Sequence, residues 1–232
     1  MGQPAPAVFL PSRDGFAFDN SWPPGPGIAI PTPVRTVGIG NAAAGLCGGM
    51  VFGALDYWHS RRTPPASRPA AGTPLFRFIV RRLIDSWHIP AGVARYYLWM
   101  NLPDADSGLR ALGRRLVTIR GVSWRTIEHQ WPLVRASIDR GAPAALAVVT
   151  VASAWPGMLG HNHQVLAYGY EVAGSVVTLR VYDPNSGQDD SVHIAFSTPA
   201  ATTATFEHNI SIRWPVRGFF LTAYSPAVPP SD

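Results

Sequence analysis

His163-Gln-Val-Leu-Ala-Tyr-Gly-Tyr-Glu-Val-Ala-Gly-Ser-Val-Val-Thr-Leu-Arg-Val-Tyr-Asp183 reads as a β-hairpin. Two β-branched and aromatic runs, His163 to Tyr170 and Val176 to Tyr182, flank Glu171 to Gly174, where the chain is expected to turn. In an antiparallel pair, residues equidistant from the turn centre lie opposite one another, and opposite side chains point to the same side of the sheet. With the centre near Ala173, His163 faces Asp183, so an imidazole stands beside a carboxylate. Pro184 then ends the strand and leaves that carboxylate at the sheet's margin. A slip of register would bring Asn185 there instead, and it stands as the second candidate to orient the ring.

Working outward, Ala144 to Val151, Ser191 to Phe196 and Arg217 to Tyr224 share this texture and extend the hairpin into an antiparallel sheet over residues 142–232. Upstream, residues 36–141 read as helical. Phe76, Ile79, Val80, Leu83 and Trp87 recur at three- and four-residue spacings, with Arg77, Arg81, Arg82 and Asp85 between them. Shorter helices are expected over Ala91 to Met100 and Leu109 to Leu116, and another from Trp131-Pro132 to Gly141, with proline at its start and glycine just past its end. Arg61 to Pro74 is too proline-rich for regular structure and reads as a loop. Residues 1–35, rich in proline and glycine, read as an extended arm that docks through Phe16, Phe18 and Trp22. Helices first and strands second predict an α+β fold in a single domain over 1–232. A helical N-terminal lobe packs on a C-terminal antiparallel sheet, with a cleft between them.

The composition excludes several functions. All 19 basic side chains are arginine, which removes any lysine-dependent phosphate loop, Schiff base or Ser-Lys mechanism. The net charge of +5 is dispersed over pairs such as Arg61-Arg62, Arg81-Arg82 and Arg114-Arg115 on separate segments, so no nucleic-acid partner is expected. One cysteine makes no internal disulfide and no thiolate-rich zinc site, and for a metal held by His161-Asn-His163 with Asp183 a third close ligand is not obvious, so neither a metal nor a cofactor is expected. The start lacks the basic and apolar regions of a secretory signal, and no run reaches the roughly 18 apolar residues of a membrane span. The expectation is a cytoplasmic protein with no membrane partner, its oligomeric state open.

That single cysteine lies in Asn41-Ala-Ala-Ala-Gly-Leu-Cys47-Gly-Gly-Met50, where a glycine-rich turn runs into an apolar helix. At a helix's first turn the unpaired N–H groups and the dipole favour thiolate over thiol. Cys47 is therefore a candidate nucleophile, with His163 as its base and Asp183 as the group that orients the base. The competing reading is a small core residue at a tight glycine turn. Gly48, Gly49, His161 and Asn162 are placed along the substrate cleft. Trp155, in the loop before His163, either covers the substrate or packs.

These residues resemble the papain-like cysteine peptidases, and within them the double-glycine-leader peptidases of bacteriocin exporters. That family places an amide side chain six residues before a helix-opening Cys, as Asn41 precedes Cys47. Its His opens a strand ending in Gly-Tyr, as in His163 to Tyr170, and the exporter branch has the Asp of an Asp-Pro pair, as in Asp183-Pro184. Two departures are visible: Asn41 is a methylene shorter than the usual glutamine, and Gly-Gly-Met follows the cysteine. The resemblance implies a papain-like fold and attack of the Cys47 thiolate on a peptide or amide carbonyl. His163 would shuttle the proton, Asp183 fix its tautomer, and Asn41 with the Cys47 N–H stabilise the oxyanion. The acceptor of the acyl group is left open between water and an amine. A silent module binding a peptide in the same cleft is the alternative, favoured by a Cys47 fully enclosed among apolar neighbours.

Overall fold

The central hairpin turns at Gly174-Ser175, between the strands His163–Ala173 and Val176–Tyr182, later than the sequence suggests. Ala173 pairs with Val176, Tyr170 with Leu179 and Gly169 with Arg180; then Ala167 pairs with Val181, which leaves Tyr168 as an extra residue on the first strand. Direct pairing of His163 with Asp183 is therefore corrected. Continuing from the pair Leu166 and Tyr182, Asp183 falls across from Val165, two residues from His163 and on the same face. The ring and the carboxylate are diagonal neighbours, and the bulge makes them so. Without it, Asp183 would fall across from Leu166, on the opposite face from His163.

The computed structural model describes residues 8–22, 26–31, 36–41, 45–108, 110–111, 114–115, 118–200 and 203–231. In chain order these form α1 (Pro11–Asp14), β1 (Pro26–Pro31), β2 (Thr36–Asn41), α2 (Cys47–His59), α3 (Pro74–Trp87), α4 (Ala91–Asn101), β3 (Arg110–Ala111) and β4 (Arg114–Arg115). Then α5 (Val122–Trp124) passes through a π turn, Arg125–Gln130, into α6 (Trp131–Asp139). The remainder is β5 (Ala144–Val149), a 3-10 turn (Pro156–His161), β6 (His163–Ala173), β7 (Val176–Tyr182), β8 (His193–Ser197), β9 (Glu207–His208) and β10 (Gly218–Leu221). An antiparallel sheet runs β10-β5-β6-β7-β8-β9, with separate ladders β1-β2 and β3-β4. The fold is α+β.

Three elements depart from expectation. In place of a helix over Leu109 to Leu116, Arg110–Ala111 pairs with Arg114–Arg115; Gly108 and Gly113 both disfavour a helix there. The helix expected to start at Trp131 begins at Val122 instead. Pro132 has no N–H for the carbonyl four residues back, and the wider π turn before it takes up the misfit. The N-terminal segment holds α1 and β1 rather than a wholly extended arm, yet it docks. Phe9, Phe16, Phe18 and Trp22 are buried against α2 and α3.

The layering explains α2. Every residue from Gly48 to Trp58 is buried, the pattern of a helix enclosed on all sides. Leu46, Met50 and Leu55 share a core with the aromatic N-terminal segment, with Ile79 of α3, and with Ala145, Leu166 and Tyr182 on one sheet face. The opposite face, with Leu146, Val165, Val181 and Phe219, packs on Ile127, Trp131 and Val134. Tyr96, Trp99 and Met100 of α4 cover Ala147, Val149 and Phe220. With both faces covered, β5 is buried throughout and reads as the unbroken apolar run Ala144 to Val149. Behind α2, fully buried Asp56 lies 2.7 Å from Arg82 Nε and accepts from Tyr224 Oη and the Ala227 N–H, which fastens the C-terminal segment. Among the described residues, no helix is long and apolar enough to cross a membrane.

Candidate active site

Cys47 is the first residue of α2, and His163 is the first residue of β6. The two elements pack because glycine allows it. A Cβ on Gly48 would lie 2.3 Å from Ser86 Oγ and 2.8 Å from Gln164 Oε1, and one on Gly49 would lie 2.0 Å from the Ile79 carbonyl oxygen. Both glycines are buried contact points between helix and sheet or helix and helix, so their placement along the substrate cleft is corrected.

The His163 ring is held from behind. Its Nε2 donates to Asp183 Oδ1 at 2.7 Å, which leaves Nδ1 for the thiol of Cys47. Asp183 is fully buried, and both of its oxygens are occupied. Oδ1 also accepts the Asn185 N–H at 2.9 Å, while Oδ2 accepts the Ser211 N–H at 2.8 Å and the Ser186 hydroxyl at 3.3 Å. A carboxylate clamped by three donors besides the ring has no freedom to turn away. Asn185 therefore supports Asp183 through its backbone; its side chain donates to the Ser211 carbonyl and accepts from Asn20.

The electrostatics of the three groups interlock. Burial pushes the Cys47 thiol up, but the His163 charge and hydrogen bond, with the Gln164 and Gly48 N–H groups, outweigh it and hold the thiol below its ordinary pKa. Burial alone would lower His163; facing Cys47 and Asp183, it is raised to about 10. Burial would raise Asp183, yet His163 and the Asn185 and Ser211 N–H groups hold it below the usual carboxylate range. All three shifts favour a thiolate facing an imidazolium that is backed by a carboxylate.

A cleft of about 330 Å³ opens over this pair. Its walls are Asn20 and Gly45 on the side of the cysteine turn, the segment Gly160 to His163, Asn185, and the segment Ser211 to Trp214. Cys47 is half-buried at its edge rather than enclosed. The chain matches no family model, no curated protein and no solved structure.

Of the remaining predicted site residues, His161 and Asn162 line the cleft. The Asn162 amide is spent on structure, accepting the Thr150 N–H at 3.1 Å and donating to the Leu159 carbonyl at 3.1 Å. Trp155 does not line it and stands 70% exposed on the loop, neither covering the pocket nor packed. Asn41 ends β2, and its side chain lies outside the described residues.

Sequence reasoning missed two residues. Asn20 Oδ1 accepts the Leu46 N–H at 2.6 Å and Trp22 Nε1 at 2.9 Å, while its Nδ2 donates to Asn185 Oδ1 at 3.1 Å. One amide thus ties the turn before Cys47 to the loop after Asp183. Gly45 fits beneath it at φ 93°, where a Cβ would meet Asn20 Nδ2. Nothing local in Asp19-Asn20-Ser21 signals this role. Gln164 is the second: buried, it donates to Ser86 Oγ at 3.2 Å, and its N–H serves the Cys47 sulfur. A lone amide inside the apolar strand His163 to Tyr170 was the available signal.

Proposed function

We propose that the protein is a cysteine-dependent acyl-transfer enzyme of papain-like architecture that hydrolyses a peptide or amide bond. The observation that carries this is His163 bonded to buried Asp183 through Nε2 at 2.7 Å with its other nitrogen left for Cys47. In this reading the thiolate attacks the carbonyl carbon. As the C–N bond breaks, the His163 imidazolium gives its proton to the leaving amine, leaving a thioester on Cys47. Water then loses a proton to His163 and attacks the thioester. The C–S bond breaks, and the acid leaves with the thiolate restored. In this reading the Cys47 backbone N–H, at the start of α2, donates to the oxyanion, and one such donor is typically worth about 10²–10³ in rate. An amine in place of water would make the same groups an acyltransferase. The silent-module reading is disfavoured because Cys47 borders an open cleft.

The test uses p-nitrophenyl acetate, which needs no knowledge of the natural substrate. A burst of one equivalent of nitrophenolate and a 42-dalton adduct on Cys47 are expected, both lost in Cys47→Ala. No adduct at Cys47, with the protein folded, refutes the proposal.

A further inference from the structure

The cleft carries one charge that the triad does not use. Arg213 lines it, exposed, and among the described residues has no ion-pair or hydrogen-bond partner. Some other exposed arginines are tied down, Arg180 to Glu171 at 2.8 Å and Arg135 to Asp139 at 3.6 Å, but what sets Arg213 apart is its place at the cleft. The Arg213 guanidinium instead lies over the Trp214 ring, its carbon 5.4 Å from the ring centre. Trp214, 39% exposed, meets His161 edge to face at 6.4 Å and so joins the segment before β10 to the segment before β6. This stacking holds a long side chain at the mouth without neutralising it.

No carboxylate offsets that charge at the surface of the cleft. Among the described residues lining it, the others are neutral amides, glycines, Ser211, Ile212, Trp214, His161 and the Cys47-His163 pair itself. Asp183 is fully buried behind His163, so its charge does not face the rim. The rim of the cleft is therefore positive at Arg213, whose planar, forked donor suits a carboxylate. A concave site with walls of lower dielectric concentrates that field on whatever enters.

We propose that the site acts on carboxylate-bearing acyl substrates, peptides with an acidic side chain or a free C-terminal carboxylate close to the scissile bond, and that Arg213 is the residue that selects them. Trp214 is the shelf that holds Arg213 in place. This rests on Cys47 being the nucleophile proposed above, and the experiment separates the two.

Cys47 is the only cysteine, so alkylation of the whole protein reads this site alone. Two probes of matched shape are used at pH 7 and low salt: N-iodoacetylglycine, which carries a carboxylate, and N-iodoacetylglycinamide, which does not. The ratio of their rates tests Arg213. The rate with the neutral probe, compared between wild type and His163→Gln, tests the nucleophile, so the two proposals fail separately. Exposed Arg213 tolerates replacement. Arg213→Gln is expected to lower the ratio of anionic to neutral rates by roughly 2- to 5-fold while the neutral rate holds. Arg213→Lys keeps most of the preference, and added salt erodes it in the wild type but not in Arg213→Gln. An equal ratio in wild type and Arg213→Gln overturns the proposal, as does a neutral-probe rate that falls with the anionic one.

Discussion

Replacing His163 with glutamine should move the pH at which Cys47 becomes reactive, by an amount that follows from the site. In the wild type, the imidazolium, the Gln164 N–H and the helix start hold the thiol below its ordinary value. An ordinary thiol, with a pKa of about 8.5, is roughly 3% thiolate at pH 7 and about 0.3% at pH 6. Full conversion to thiolate would bound the gain in reactive form at about 30-fold at pH 7 and about 300-fold at pH 6. Lower basicity returns part of this, since nucleophilicity falls by a Brønsted slope of about 0.4–0.5. The net loss in His163→Gln at pH 6 is then bounded at about tenfold. Glutamine keeps a donor for buried Asp183, which protects the fold. Iodoacetamide alkylation, followed by mass, gives the assay. The wild type should react faster than the variant at pH 6 and climb less steeply from pH 6 to 8. The variant should climb about tenfold per pH unit and level off only above about 8.5, since burial remains and the cation does not. Because His163 is raised to about 10, the wild-type profile should change again there, where the imidazolium loses its proton. Superimposable profiles for the two proteins would refute the ion pair.

Other residues of the site give sharper structural readouts. Asp183 has a depressed pKa in the fold, so its contribution to stability is present above its unfolded value of about 3.9 and lost as pH falls below it. Asp183→Asn should therefore be destabilised in urea at pH 7, and the gap to wild type should narrow as pH falls below about 4. A gap that stays constant would contradict this. Asn20→Ala loses three hydrogen bonds, to Leu46, Trp22 and Asn185, and should cost roughly 2–4 kcal/mol by denaturant melting. Asn20→Asp keeps both accepted bonds and should recover more than half; no recovery would mean that the donor to Asn185 carries the effect. Gly49→Ala drives a Cβ to within 2.0 Å of the Ile79 carbonyl oxygen, a backbone atom that cannot swing aside, and should cost about 1–3 kcal/mol or more. A melting temperature within a degree of wild type would show that α2 and α3 part more easily than their packing implies.

How much of this site the sequence could reveal turns on parity rather than on composition. The turn at Gly174-Ser175 and the extra residue Tyr168 are separate departures from a regular hairpin with its centre near Ala173. Moving the turn alone would have put His163 and Asp183 on opposite faces, since an odd displacement reverses every side chain. The bulge restores the common face, so the pairing of ring and carboxylate stands although the predicted register does not. A bulge has no compositional mark as plain as a turn's, and Ala167-Tyr168-Gly169 offers only a glycine next to the site. α3 was legible because apolar spacing reports a buried stripe directly, and α2 because its apolar run matches a helix enclosed on all sides. β3 and β4 were not, because two-residue strands are too short to show alternation. Asn20 was hidden for a further reason. Its partners Leu46 and Asn185 lie 26 and 165 residues away, so its role exists only once the N-terminal segment has docked. The triad's chemistry is carried by three side chains, but its geometry depends on an unpaired tyrosine and an amide from the far end of the chain. Substitutions at Tyr168 and Asn20 should therefore disturb Cys47 reactivity without touching any reacting atom.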